Sequence, residues 1–232
     1  FKAENSDYCN MSVGNKNCYM IFGGDNSRDC MYGSLGMRNL ETLDCDMGDE
    51  NELCYEVSGV FNSYGVQFGF DSKDCRDCAY IADCHGCSDV IFCTNLLNKS
   101  YCILNKQLSK DEYFVKKREL LSGSFSQQEK NHRMFRDLMG KRVVKYAHTI
   151  SCEDSTGDYL KNCRLCKNVY DAVGCEEIEN TVFATKSKNC VRSAMIGDNT
   201  NLGYGSQSTY GTYNVVGTFV AIECSDIFYS DF

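Results

Sequence analysis

Ser72-Lys73-Asp74-Cys75-Arg76-Asp77-Cys78-Ala79-Tyr80-Ile81-Ala82-Asp83-Cys84-His85-Gly86-Cys87 is written in steps of three. Ser72, Cys75, Cys78, Ile81, Cys84 and Cys87 share one phase, and every charged residue of the stretch falls on the other two. The phase extends in both directions. Between Ser6 and Cys93 it holds 30 positions, filled by 10 Cys, 5 Ser, 5 Gly, 4 Val, 3 Asn, 2 Ile and 1 Thr. The 20 Asp, Glu, Lys and Arg residues of that span all avoid it, where an unpatterned chain would spread them over three phases. Small uncharged side chains on one phase mark a buried seam.

A period of three is neither the 3.6 of a helix nor the 2 of a pleated strand. It suits a chain that turns one residue inward and two outward, over and over, around a narrow core. Stacked coils hydrogen-bonded to one another have that geometry, which predicts an all-β solenoid, a parallel β-helix of short strands with an inward cysteine ladder. The spacing of the repeated tetrads suggests coils of roughly 18–24 residues. The chain has 232 residues, 17 cysteines and no proline. At the usual frequency of about 5% proline would be common; its absence fits a backbone in which almost every N–H is needed by the next coil.

One tetrad marks the seam: Asn15-Lys16-Asn17-Cys18, Ser27-Arg28-Asp29-Cys30, Ser72-Lys73-Asp74-Cys75, Leu160-Lys161-Asn162-Cys163 and Ser187-Lys188-Asn189-Cys190. Asn and Asp tolerate left-handed backbone, so they suit a bend before the buried sulfur. Tyr19, Tyr32, Tyr55 and Tyr80 lie off the seam and are expected on outer faces. After Ser151 the seam resumes on a shifted phase, from Leu160 through Cys163, Cys166, Val169 and Cys175 to Ile196. Val215, Thr218, Ala221, Cys224 and Ile227 imply a further one-residue slip near Gly203 to Gly211.

Between the seams the pattern changes to that of helices. Ser109-Lys110-Asp111-Glu112 and Ser126-Gln127-Gln128-Glu129 both read as capping boxes. Met134, Phe135, Leu138, Met139, Val143 and Tyr146 then recur at helical spacing. The expected organisation is a first solenoid segment at 1–106, a helical hairpin at 107–148 with helices over 109–121 and 127–147, and a second solenoid segment at 149–232. The hairpin carries Lys116, Lys117, Arg118, Lys130, Arg133, Arg136, Lys141, Arg142 and Lys145, but Asp111, Glu112, Glu119, Glu129 and Asp137 are interspersed. That mixture reads as solvated helices with the apolar stripe packed on the solenoid, not as a nucleic-acid surface.

The candidates for chemistry are few. Cys75-x2-Cys78-x5-Cys84-x2-Cys87, followed by Cys93, has the paired thiols of a zinc or iron–sulfur site, with a gap far shorter than a zinc ribbon's. The same four obey the seam phase, so a ladder of reduced, buried thiols is the preferred reading, with a metal site second and disulfides third. His85 lies off the seam and points outward; His132 and His148 belong to the hairpin and are expected to face solvent. Gly203-Tyr204-Gly205 and Gly211 lack the Lys-Ser/Thr of a phosphate loop and read as bends. Asp44, Asp46, Asp49, Glu50 and Glu52 lack calcium-loop spacing and read as a solvated acidic edge. No catalytic residue, metal ligand or cofactor-binding residue is assigned.

The formal net charge of -8 argues against nucleic acid, and there is no apolar run of about 18 residues for a membrane span. An odd cysteine count favours a reducing, cytoplasmic compartment. The start at Phe1 and the stop at Phe232 suggest a fragment without obvious caps, which predicts end-to-end homo-oligomers or missing flanking domains.

Glu4-Asn5-Ser6-Asp7-Tyr8, Lys16-Asn17-Cys18-Tyr19, Glu52-Leu53-Cys54-Tyr55-Glu56 and Asp83-Cys84-His85-Gly86-Cys87 resemble the cysteine-rich repeat proteins of uncharacterised function from candidate-phyla bacteria. The longest shared motif runs from Asn95-Leu96-Leu97-Asn98-Lys99 through Tyr101-Cys102-Ile103 and Asn105-Lys106 to Ser109-Lys110-Asp111-Glu112-Tyr113. The resemblance implies a repeat fold over nearly the whole chain and no activity. Members often carry a zinc-ribbon-like segment outside the repeats; this chain has none. The expected role is a non-enzymatic scaffold or binding module for a protein or polymer partner. The alternatives are a metal-binding or redox protein centred on Cys75, Cys78, Cys84 and Cys87, and an enzyme acting on a polymer along a solenoid face.

Overall fold

The computed structural model describes residues 3–144 and, within 157–231, all but 159, 160, 162, 171, 183, 190, 195, 196, 198–200, 202, 203, 208, 209, 215 and 220–222. The chain divides into two compact units, Phe1–Val143 and Val144–Phe232, so the hairpin belongs to the first.

The first unit is a β-solenoid. Its strands are β1 (Tyr19–Phe22), β2 (Met31–Ser34), β3 (Leu43–Asp46), β4 (Tyr55–Phe61), β5 (Gln67–Lys73), β6 (Ala79–Ala82), β7 (Ser88–Thr94) and β8 (Ser100–Ile103), all parallel and adjacent in chain order. Tyr19 pairs with Met31, Met31 with Leu43, Leu43 with Tyr55, Tyr55 with Gln67, Gln67 with Ala79 and Ala79 with Ile91. Every step is twelve residues, not the 18–24 expected. Four triplets, each contributing one inward and two outward residues, close one coil.

The backbone explains the triplet. Every third residue from Asn5 to Leu104, without exception, has positive φ, and up to Asn95 each stands immediately before a residue of the seam. Asn17, Asp29 and Asp74 occupy that corner as their type predicts, but so do Tyr8, Met20, Leu35, Arg38 and Phe92, for which left-handed backbone costs about 1–2 kcal/mol. The ladder offsets that cost. The first outward residue donates to a carbonyl one coil on, as Lys16 N–H does to Ser27 at 3.0 Å, and the corner residue donates one coil back, as Asn17 N–H does to Glu4 at 3.0 Å. Proline is therefore excluded twice at the corner, by its fixed negative φ and by its missing donor.

The third N–H, that of the inward residue, points into the core, and the seam side chains supply its partner. Cys18 N–H donates to Ser6 Oγ at 3.1 Å, Cys75 N–H to Ser63 Oγ at 3.1 Å and Ser27 N–H to Asn15 Oδ1 at 2.9 Å. The seam thiols donate in turn to two interior carbonyls, two residues back and nine residues on: Cys18 to Lys16 at 3.3 Å and Ser27 at 3.4 Å, Cys75 to Lys73 at 3.4 Å and Cys84 at 3.3 Å. Cys, Ser and Asn are thus selected for polarity as well as size, since a buried carbonyl or amide left unpaired costs about 1–3 kcal/mol. Cys45, Cys54, Cys75, Cys78, Cys84, Cys87, Cys93 and Cys102 share one apolar core with Val57, Val60, Val66, Ile81 and Val90.

At Leu104-Asn105 the chain reverses. β9 (Lys106–Gln107) runs antiparallel on β8 and leads into α1 (Lys110–Leu120) and α2 (Phe125–Lys141). The capping box at Ser109 and Glu112 is present as expected. The second helix instead starts two residues earlier than predicted, capped by Ser124, whose hydroxyl accepts from Gln127 N–H at 3.2 Å. The Ser126–Glu129 box is therefore not the cap. Val143, expected on the apolar stripe, is exposed beyond the helix end, and Tyr146 and His148 lie outside the described residues.

The second unit carries a separate parallel sheet of β10 (Gly157–Asp158), β11 (Val169–Tyr170), β12 (Asn180–Val182), β13 (Arg192–Ala194), β14 (Gly205–Gln207), β15 (Gly217–Phe219) and β16 (Tyr229–Asp231). The predicted seam is inward where it is described: Cys166, Val169, Ala172, Cys175, Ile178, Thr181, Ala184 and Ser187 are buried. The register steps by twelve except between Ala194 and Gln207, which is thirteen. Arg192 N–H bonds to Tyr204 and Asn189 N–H to Asn201, so the extra residue falls between Arg192 and Asn201. The expected slip exists but precedes Gly203–Gly211, and Gly205 lies in a strand, not a bend. Leu160, Cys190, Ile196, Gly203, Val215 and Ala221 lie outside the described residues.

Candidate interaction surface

Cys75, Cys78, Cys84 and Cys87 are the strongest candidates for chemistry in the sequence. Cys75, Cys78 and Cys84 occupy three inward positions of one coil, with Ile81 on the fourth, and Cys87 follows Cys75 by twelve residues. Their sulfurs interact. Hydrogen bonding to Cys78 and Cys87, then burial, pushes the Cys75 thiol far up; bonding to Cys87, then burial, does the same to Cys84; and Cys87, which receives both Cys75 and Cys84, is drawn down. Each of the four also donates to the two backbone carbonyls of the seam rule, as Cys78 does to Arg76 at 3.1 Å and Cys87 to His85 at 3.4 Å. No group of three or more His, Cys, Asp or Glu residues is arranged to hold a metal ion among the described residues. Fourteen described cysteines are free, but Cys163 is disulfide-bonded, which departs from the expected ladder of reduced thiols.

The remaining candidates separate. His85 is exposed, as its phase requires. His132 is not solvent-facing: half-buried, it sets its edge against Phe68 at 4.6 Å and Tyr80 at 5.7 Å between ring centroids. The acidic run is dispersed by the twelve-residue coil. Asp49 and Glu50 are held by Arg38 at 2.6 and 3.0 Å, so that part is an ion-paired patch and not a free edge, whereas Asp44 and Asp46 lie on another part of the coil.

What the sequence reading missed is a column. Residues twelve apart stack, so the outward pair of one coil side reads Tyr19-Met20, Met31-Tyr32, Leu43-Asp44, Tyr55-Glu56, Gln67-Phe68, Ala79-Tyr80 and Ile91-Phe92, with Asp7-Tyr8 at one end and Ile103-Leu104 at the other. The spacing of Phe68, Tyr80 and Phe92 was the available signal. Their rings stack at 4.4 and 4.7 Å, and, with Ala79, Ile91 and Ile103, form a second buried cluster under the hairpin. Tyr80, expected on an outer face, is buried there.

The hairpin is seated by apolar and charged contacts together. Met134, Phe135 and Leu138 of α2 and Tyr113 of α1 pack on that cluster. Arg142 pairs with Asp83 at 3.1 Å and stands over the Phe70 ring at 5.3 Å; Lys117 pairs with Asp89 at 3.3 Å. At side-chain exposures of 18% and 15% for Arg142 and Asp83, this cation is part of the packing and not merely solvated.

The same coil side is bare at its other end. Tyr8 is 80% exposed, Tyr32 49%, Met20 48% and Met31 48%, and Tyr19 packs edge-on between Tyr8 and Tyr32 at 5.5 and 5.8 Å. Between bare and covered stretches stand Asp44, Asp46 and Glu56, which line a cavity of about 380 Å³ against Phe70, Phe135 and Met139. Tyr55 donates to Glu56 at 2.7 Å, and that bond, then burial, raises its hydroxyl to about 12. Comparison with protein-family models finds no match, and neither does comparison with curated proteins.

Proposed function

We propose that the chain is a non-enzymatic repeat scaffold that binds a macromolecular partner along one side of its first solenoid. One observation carries the reading: a single column of outward side chains is apolar over both ends, covered by the chain's own hairpin at one end and bare at the other. Contiguous exposed apolar surface of this kind marks interaction sites more often than scattered single residues do. A reducing, cytoplasmic setting and kinship with the cysteine-rich repeat proteins belong to the same proposal; neither adds a role. The test is quantitative affinity purification from native extract with wild type, a Tyr8→Ser/Met20→Ser/Tyr32→Ser variant, and a Phe61→Ser/Leu97→Ser control on another coil side. A partner retained by the control and lost by the triple variant supports the reading; identical sets with all three baits overturn it.

A second reading, a metal or redox protein, draws on the mutual sulfur contacts of Cys75, Cys78, Cys84 and Cys87. Stoichiometric zinc or iron in protein purified without added metal would establish it in place of the scaffold.

A further inference from the structure

We infer that the bare stretch of this coil side receives a basic amphipathic α-helix from a partner protein, with a lysine or arginine of that helix meeting Asp44, Asp46 and Glu56. The inference rests on the binding-surface reading above and names the partner's chemistry.

Four observations converge. The ladder bonds along this side consume the outward N–H groups, as in Tyr19 to Cys30 at 3.0 Å and Met31 to Thr42 at 3.0 Å, so a partner strand has no open hydrogen-bonding edge here and contact must be through side chains. Coils stack about 4.8 Å apart, close to the ~5.4 Å rise of one helical turn. A helix laid along the stack therefore presents roughly one apolar residue to each of the coils bearing Tyr8, Met20, Tyr32 and Leu43. The bare stretch is continuous with the stretch already covered by a helix of this character: α2 sets Met134, Phe135 and Leu138 on the aromatic column, and Arg142 reaches Asp83 at its flank. Finally, none of Asp44, Asp46 and Glu56 forms an ion pair among the described residues, although all three line one cavity with the aromatic rings of Phe70 and Phe135. Carboxylates with no cation of their own suit a cationic side chain, which they hold by charge-assisted hydrogen bonds.

The test uses the full chain and two synthetic helical peptides with the same leucine stripe, one flanked by lysines and one by glutamates, followed by fluorescence anisotropy. The lysine peptide is expected to bind, and its Kd to rise at least tenfold in Asp44→Lys/Glu56→Lys and, independently, in Tyr8→Ser/Tyr32→Ser. The glutamate peptide is expected to prefer the Asp44→Lys/Glu56→Lys chain. Circular dichroism and retained thiol protection show that each variant is folded. Equal binding of both peptides, or binding indifferent to both variants, overturns the inference. So does a wild-type dimer in sedimentation velocity that the tyrosine variant abolishes, which would give the face to a second copy. Loss of the extract partner by the tyrosine variant without peptide binding overturns the helix and leaves the surface; an extract unaffected by that variant overturns both.

Discussion

At the scale of the residue, the triplet has unequal tolerances that the sequence displays only in part. Glu41 is an exposed corner residue with φ 50°, and its N–H donates to Arg28 at 3.0 Å. A β-branched side chain is poorly tolerated at positive φ, whereas Asn visits that region readily. Glu41→Ile is expected to lower stability by about 1–2 kcal/mol and Glu41→Asn to leave it unchanged or slightly higher, read from urea unfolding. The inward thiols make a different prediction. Burial, first among the causes, raises Cys45 and Cys93 from 9.0 to about 12 and Cys54 to about 11. Below about 9 both folded and unfolded thiols are protonated and the shift changes nothing. Above it the unfolded chain loses protons that the folded chain keeps, so stability falls as pH rises toward 12. Cys45 alone contributes at most about 4 kcal/mol to that fall. Unfolding free energies that stay flat from neutral pH to about 9 and then drop, with a shallower drop in Cys45→Ser, are the expected result; a flat curve to pH ~11 would show that the sulfurs are not buried.

At the scale of the element, the hairpin tests how far local signals reach. Ser109 and Glu112 form the predicted box, but Ser126 and Glu129, with the same spacing, do not cap α2. Ser124 has extended backbone and holds Gln127, while the sequence offers two serines two residues apart and no local reason to prefer the first. Ser124→Ala is expected to cost about 1 kcal/mol and Ser126→Ala close to nothing, measured by thermal or urea unfolding. Arg142 was illegible for another reason. Its partner Asp83 is 59 residues away, and only the coil that carries Asp83 past Phe70 turns a solvated cation into a seated one. His132 was misread likewise, since its surroundings are Phe68 and Tyr80 and not its own helix. By contrast the seam was legible throughout the first unit, because every coil must solve the same problem of a narrow core lined with amides and carbonyls.

At the scale of the whole molecule, the seam period and the coil period are separate quantities, and that is why the seam is legible in the sequence while the coil length is not. All four sides use the same triplet, so the sequence advertises three; twelve is visible only in columns such as Asn15, Ser27, Asn39 and Asn51, or Phe68, Tyr80 and Phe92. The two periods can be separated by deletion. Each coil touches only its neighbours, so stability is close to a sum of repeat and interface terms. Removing residues 25–36 takes out one whole coil, joins Gly24 to Met37 and restores every column; the chain should fold with cooperative unfolding, intact thiol protection and slightly lower stability. Removing residues 25–33 keeps the triplet phase but takes out three of the four sides of a coil, so that everything upstream is shifted by one side. The seam should survive, and the Tyr8–Tyr19 stretch should move to a coil side other than the one bearing Leu43 and Phe68, so that the purified chain folds and loses its partner. Removing residues 25–35 breaks the triplet itself, carrying outward residues such as Asp7 and Lys16 onto inward positions and seam residues such as Cys18 onto corners upstream of the junction, and those coils should lose protection from hydrogen exchange. Equal folding and equal binding after all three deletions would mean that neither period governs the structure. Folding after the first two, with binding after the first alone, would locate the fold in the triplet and the function in the twelve-residue coil.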